Sequence, residues 1–176
     1  MQIILNTGNY RKLASFQMAT IVYDFTVEFC RLYVKDYRMR DQITQAARSG
    51  RQNIAEGCKA SGTSRKTELK LINVARASLE ELLLDYEDYL RQHNLRMWDK
   101  EDLQAKQVRS LAYDNNKSYK TYKTYINSPE QAANVAICLI YQTSYLLHRQ
   151  LIALEKVFLD SGGFTERLYN ARMKIK

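Results

Sequence analysis

The chain has 176 residues, 45% of them hydrophobic and 26% charged, with 27 Lys plus Arg against 19 Asp plus Glu. That apolar share excludes a disordered or collagen-like chain, and one Pro with six Gly argues against a turn-rich sheet protein, because turns draw on those two residues. The net charge of +8 and a pI near 9.4 favour polyanionic or acidic partners.

From Leu13 to Val34, the residues Phe16, Tyr23, Val27, Cys30 and Val34 recur at helical period, which predicts a first helix over about 10–35. A second apolar row, Met18, Val22, Phe25, Phe29 and Leu32, lies on nearly the opposite side. A helix at the edge of a small monomer has one core to face, so either neighbouring helices wrap both rows or the second row is an oligomer interface, which is the expectation taken here. The second helix, about 40–56, has inner positions Ile43, Ala47, Gly50, Ile54 and Gly57. Gly50 inside a helix costs about 1 kcal/mol relative to Ala, so close helix packing is the expected return, and Gly57 is read as the terminator. Ser64 is a candidate N-cap for a third helix over 64–93, with a stripe running from Leu69 through Ala75 and Leu82 to Leu90.

An insert over 99–127 follows, rich in helix formers at Asp99 to Ala112, where a short extra helix is expected. It leads into Tyr119-Lys120-Thr121-Tyr122-Lys123-Thr124-Tyr125. Those tyrosines and lysines either stack bases and neutralise phosphates or pack one face inward while the lysines stay solvated. Ser128, Pro129 and Glu130 open the last long helix, 129–160; Gly162 and Gly163 stop it, and a tail spans 163–176. The sum is an all-α, antiparallel up-down four-helix bundle with a helical insert, one domain over 1–176.

Cys30, Cys58 and Cys138 are far apart with no CxxC spacing, so neither a disulfide framework nor a zinc site is suggested. Met1 to Thr7 carries only the apolar run Ile3, Ile4, Leu5, and Val135–Leu159 is interrupted by Gln142, His148, Arg149, Gln150, Glu155 and Lys156. The expectation is a cytoplasmic chain without a secretory leader or a membrane span.

The run Gln42-Ile43-Thr44-Gln45-Ala46-Ala47-Arg48-Ser49-Gly50-Arg51-Gln52-Asn53-Ile54-Ala55-Glu56-Gly57 resembles the signature of the four-helix-bundle family first noted in intervening sequences of bacterial large-subunit ribosomal RNA. The block Ala75-Arg76-Ala77-Ser78-Leu79-Glu80-Glu81-Leu82 is similar to that family's third-helix motif, with Ala77 where a Gly usually stands, and Phe16 occupies a position often held by Trp. Gly50 to Gln52 replaces a stretch that usually contains Pro, and the loop before the last helix is longer than in the family. The family is related to the accessory variability determinant of diversity-generating retroelements. What the resemblance implies is therefore a basic homo-oligomer, such as a pentamer, that binds RNA or DNA and partners a reverse transcriptase.

Beside that resemblance, Ser49, Asn53 and Glu56 share one face of the second helix by spacing, with Ser78 and Glu81 as natural partners; the expected role of this polar motif is structural, fixing helix register. Glu56 and Glu81 come with no metal-ligand or nucleophile pattern, His93 and His148 are isolated, and neither a phosphate loop nor an HExxH run is present. No enzyme, cofactor or metal is expected. The basic residues that can form one surface are Arg38, Arg40, Arg48 and Arg51 around the second helix, Lys59, Arg65 and Lys66 after it, and Lys120 and Lys123 in the insert. Contacts from such residues to phosphates give salt-sensitive, sequence-tolerant binding; an interaction scaffold without a nucleic-acid role is the alternative.

Overall fold

The structure, a computed structural model, describes residues 8–173; the Met1–Thr7 run and the end of the tail, 174–176, lie outside the described residues. The chain is all-helical, with no strand among the described residues. Four long helices are α1 (Ala14–Tyr33), α2 (Tyr37–Ala60), α3 (Arg65–Gln92) and α6 (Pro129–Ser161); the insert carries α4 (Leu103–Ser110) and α5 (Tyr119–Tyr122), and α7 (Phe164–Met173) closes the chain.

Side-chain caps set most of the starts. Asp36 accepts the Met39 N–H at 2.7 Å, Ser64 that of Thr67 at 3.1 Å and Ser128 that of Gln131 at 3.3 Å, each satisfying a helix-end donor that would otherwise go unpaired. The Asp36 cap begins α2 three residues before the expected 40. Leu13, extended at φ −70° and ψ 126°, separates a 3-10 turn at Tyr10–Lys12 from α1, so the first helix is shorter than 10–35. Gly162, at φ 65°, stops α6 as expected.

Gly57 is not a terminator. It lies inside α2, and a Cβ there would come within 3.3 Å of the Glu68 carbonyl oxygen and 3.4 Å of Ile72 on α3. Gly50, two turns earlier on the same side, would place a Cβ 3.0 Å from Leu79. Both glycines are therefore contact points that bring the α2 and α3 backbones together, and α2 runs on to Ala60 because nothing at Gly57 requires a left-handed residue.

α1 packs on α2 and α6, and α3 packs on the same two, so the four long helices touch in a closed cycle. Neighbours run antiparallel: Ser15 near the start of α1 donates to Gln150 near the end of α6 at 2.6 Å, while the Tyr33 hydroxyl reaches the Ile126 carbonyl just before α6 begins. Across the cycle, the buried Tyr86 hydroxyl of α3 donates to Thr26 of α1 at 3.0 Å, and Phe29 meets Tyr86 and Tyr89 edge-on at 4.9 Å.

This centre overturns the interface reading of α1. Met18, Val22, Phe25 and Phe29 are each 1% exposed or less; they point into the cycle, and Tyr119 of α5 lies edge-on to Phe25 at 6.3 Å. Of the expected interface row, Leu32 alone is exposed. The outward side of α1 instead carries half-buried Tyr23 and exposed Val27. Replacing a fully buried aromatic by Ala removes transfer energy and leaves a cavity, so Phe25→Ala is expected to lower the unfolding free energy by about 3–5 kcal/mol in urea titration without altering the hydrodynamic size of the folded protein. At the helix contact, Gly50→Leu is expected to cost about 1–3 kcal/mol through overpacking against Leu79, read by the same titration.

Candidate nucleic-acid interface

The nine basic residues expected to act together divide into two groups. Arg38, Arg48, Lys59, Lys66, Lys120 and Lys123 are exposed and make no ion pair among the described residues. Arg38, Arg48 and Lys59 stand on the outer side of α2, a helix of 24 residues and thus roughly 36 Å long at about 1.5 Å per residue; Lys66 opens α3 beyond the turn.

Arg40, Arg51 and Arg65 have ring or acid partners, and exposed Lys59 shares that character, its ammonium lying 5.8 Å over the Tyr10 ring. The Arg51 guanidinium lies 4.3 Å over the Tyr23 ring, with its Nε buried; burial raises the Asp24 carboxyl, and the Arg51 charge opposes that rise. Arg40 sits 5.7 Å over Tyr37. Arg65 pairs at 2.8 Å with Glu68, a carboxylate only 5% exposed; burial raises the Glu68 pKa and Arg65 opposes that rise. Breaking such a pair would strand a buried charge, so Arg65 is a structural residue rather than a free phosphate ligand. Spacing alone cannot separate these groups, because it does not show which aromatic or acid lies across the helix boundary.

The polar motif is assembled in part. Asn53 Nδ2 donates to the Ser49 hydroxyl at 3.1 Å and to the Ser49 carbonyl at 2.9 Å, Ser49 and Ser78 hydroxyls lie 2.9 Å apart, and Ser78 donates to the Val74 carbonyl at 3.1 Å. With Ser78 donating to Val74, Ser49 donates to Ser78, and the chain of bonds has one direction from α2 to α3. Glu56 and Glu81 are exposed and make no hydrogen bond or ion pair with described residues; they stand outside this relay.

The insert tyrosines pack inward. Tyr122 is fully buried with an unpartnered hydroxyl, and burial pushes its pKa up to about 12. Tyr119 and Tyr125 are half-buried, while Lys120 and Lys123 stay in solvent. Tyr122 could not offer its ring to a base without leaving the core, so it anchors the insert, with Tyr119 and Tyr125 half-buried beside it.

One group lies outside the sequence expectations. Asn134, 2% exposed on α6, accepts the Trp98 N–H at 2.7 Å through Oδ1 and donates through Nδ2 to the Arg96 and Glu130 carbonyls at 2.8 and 2.9 Å. Arg96 in turn grips both Asp102 oxygens, at 2.7 and 2.8 Å. The signal was an isolated amide within Ala132-Ala133-Asn134-Val135-Ala136, since a polar side chain in a buried apolar run must find partners. As for reactive groups, burial raises the Cys30 thiol to about 11 and also raises Cys58 and Cys138, so all three are protonated at neutral pH. The His93 ring stacks on Tyr89 and its Nδ1 lies 2.8 Å from the Tyr89 carbonyl.

The described residues are thus all helical or connecting, with Arg38, Arg48 and Lys59 exposed on α2 beside the exposed acids Asp41 and Glu56. A family model described as the 23S rRNA-intervening sequence protein matches residues 12–111, more than half of the chain, and the protein belongs to that family. No curated protein and no solved structure matches the chain. No helix of the structure is long and apolar enough to cross a membrane among the described residues.

On α3, burial and the neighbouring Glu81 and Asp88 charges raise the Asp85 carboxyl from 3.8 to about 6. The folded protein thus binds this proton more tightly than the unfolded chain, so Asp85 contributes stability as pH falls from about 6 toward 4 and opposes folding above that window. Allowing for its partial exposure, Asp85→Asn is expected to raise the unfolding free energy by about 1–2 kcal/mol at pH 7.5 and to change nothing near pH 4, as read by urea titration at the two pH values.

Proposed function

We propose that this protein is a non-enzymatic, homo-oligomeric, antiparallel four-helix bundle that binds RNA or DNA through the exposed side of α2. The observation that carries the reading is the placement of Arg38, Arg48, Lys59 and Lys66 in solvent without acidic partners on a chain of net charge +8. Lys120 and Lys123 add two further exposed charges from the insert. The family's description, which names 23S rRNA intervening sequences, supports RNA as the first polymer to test. Resemblance to retroelement accessory proteins further suggests a cytoplasmic role beside a nucleic-acid-processing enzyme such as a reverse transcriptase, with a pentamer as the assembly.

A second reading, a protein-interaction scaffold, is favoured by α6, where Tyr141, Tyr145 and Ile152 are each more than half exposed along one helical row. With the Met18 row inside the core, a subunit contact would have to use a surface of this kind.

Duplex and single-stranded RNA binding measured by fluorescence anisotropy from 50 to 300 mM salt tests the first reading. Binding is expected to weaken steeply with salt, and replacing Arg48, Lys59 and Lys66 together by Ala is expected to flatten the logarithmic slope by about 2–3. Salt-independent binding, or an unchanged slope in the triple variant, would overturn it.

A further inference from the structure

A cleft of about 490 Å³ lies at one end of the bundle, between the turn that joins α1 to α2 and the end of α3. Its volume falls within the range of small-molecule sites. Leu32, Val34 and Met39 supply aliphatic lining, and Tyr33, Tyr89 and His93 supply aromatic lining. Leu32 and Met39 are exposed, so the cleft offers apolar surface that a bound molecule would take out of water. The two remaining lining residues, Lys35 and Asp36, are neighbours of opposite charge, and Asp36 already accepts the Met39 N–H at 2.7 Å.

The aromatic lining holds one free acceptor. Phe29 meets Tyr89 edge-on from the core, and the His93 ring stacks on Tyr89 with centroids 4.1 Å apart and planes 25° apart. His93 Nδ1 lies 2.8 Å from the Tyr89 carbonyl oxygen. A carbonyl only accepts, so Nδ1 carries the ring proton and Nε2 of the neutral imidazole is an acceptor. That Nε2 has no hydrogen-bond partner among the described residues. The helix ends around it favour a donor over an anion: α1 and α3 both finish at the cleft with their carbonyl ends, while the positive start of α2 is met by the Asp36 cap.

We propose that this cleft binds a phenol, its ring against the aliphatic and aromatic lining and its hydroxyl donating to His93 Nε2. A phenol combines the flat apolar body that such a lining covers with a single uncharged donor for a single acceptor. A carboxylate would bring only acceptors to Nε2, and an apolar ring without a hydroxyl would leave Nε2 cut off from water and unpaired. The same chemistry fits a free phenol and a tyrosine side chain of a peptide. The site uses none of Arg48, Lys59 and Lys66, so it and the nucleic-acid reading can fail separately.

The chain has two histidines, so His148, exposed on α6, serves as an internal control. Titration of the full chain with 4-cresol, followed by imidazole nuclear magnetic resonance, is expected to shift the His93 signals saturably and to leave those of His148 in place. In calorimetry, 4-methylanisole, whose hydroxyl is methylated, and toluene, which has none, are each expected to bind about tenfold or more weakly than 4-cresol, as when one hydrogen-bond partner is missing. His93→Phe keeps a ring over Tyr89 without the acceptor; it is expected to erase the preference for 4-cresol while leaving the helical circular dichroism intact. Met39→Ala is expected to weaken all three probes and to keep that preference. N-acetyltyrosinamide that binds as tightly as 4-cresol assigns the site to a tyrosine side chain, and weaker binding assigns it to a free phenol. Absence of a His93 shift, equal shifts at both histidines, equal affinity for the three probes, or an unchanged preference in His93→Phe would overturn the proposal, whatever RNA binding shows.

Discussion

Close approach of α2 to α3 is the constraint on which the remaining structure rests. Gly50 and Gly57 leave space for Leu79, Ile72 and the Glu68 carbonyl at distances a side chain would occupy, and α2 and α3 share the most extensive helix contact of the fold. Small residues at a contact trade helix propensity for dispersion over a long seam. The Asn53–Ser49–Ser78 relay crosses the same seam, and because the Ser49–Ser78 bond is its one link between the helices, sliding them by one turn would break that part-buried pair. Packing sets the separation of the two helices, and hydrogen bonding sets their register.

That seam also decides what remains outside. With one side of α2 pressed on α3, the residues a turn away are either drawn into neighbouring contacts or left in water. Arg51 and Arg65 are drawn in, one over Tyr23 and the other onto Glu68. Arg48 is left out, and Lys59 is exposed with its ammonium 5.8 Å over the Tyr10 ring. The exposed side of α2, which carries Arg38, Arg48 and Lys59 together with Asp41 and Glu56, is thus a by-product of how the glycines seat the helix.

Much of this was legible in the sequence, where caps and periods are local. Ser64, Ser128 with Pro129, and Gly162 mark helix ends that need only their own neighbours to act. Residues whose role depends on a distant element were not legible. The Met18 row and the Tyr23 row of α1 are both apolar, and only the position of α3 across the cycle, with Tyr86 reaching Thr26, tells which row is the core. Gly57 ends with the right residue type for a cap but sits against Glu68 eleven residues on. The family motif located Ser49, Asn53 and Ser78 together, yet Glu56 and Glu81 share that motif without sharing the relay. The pairing of Trp98 with Asn134 is not legible locally because it spans 36 positions.

Ultraviolet crosslinking of the protein to a uridine-rich RNA at low salt, with the attached peptides identified by mass spectrometry, tests most directly whether the exposed side of α2 is the nucleic-acid face. The account predicts crosslinks concentrated on peptides from α2 and the first turn of α3, around Arg48, Lys59 and Lys66. Crosslinks absent from α2 and confined to α6 or α7 would contradict it.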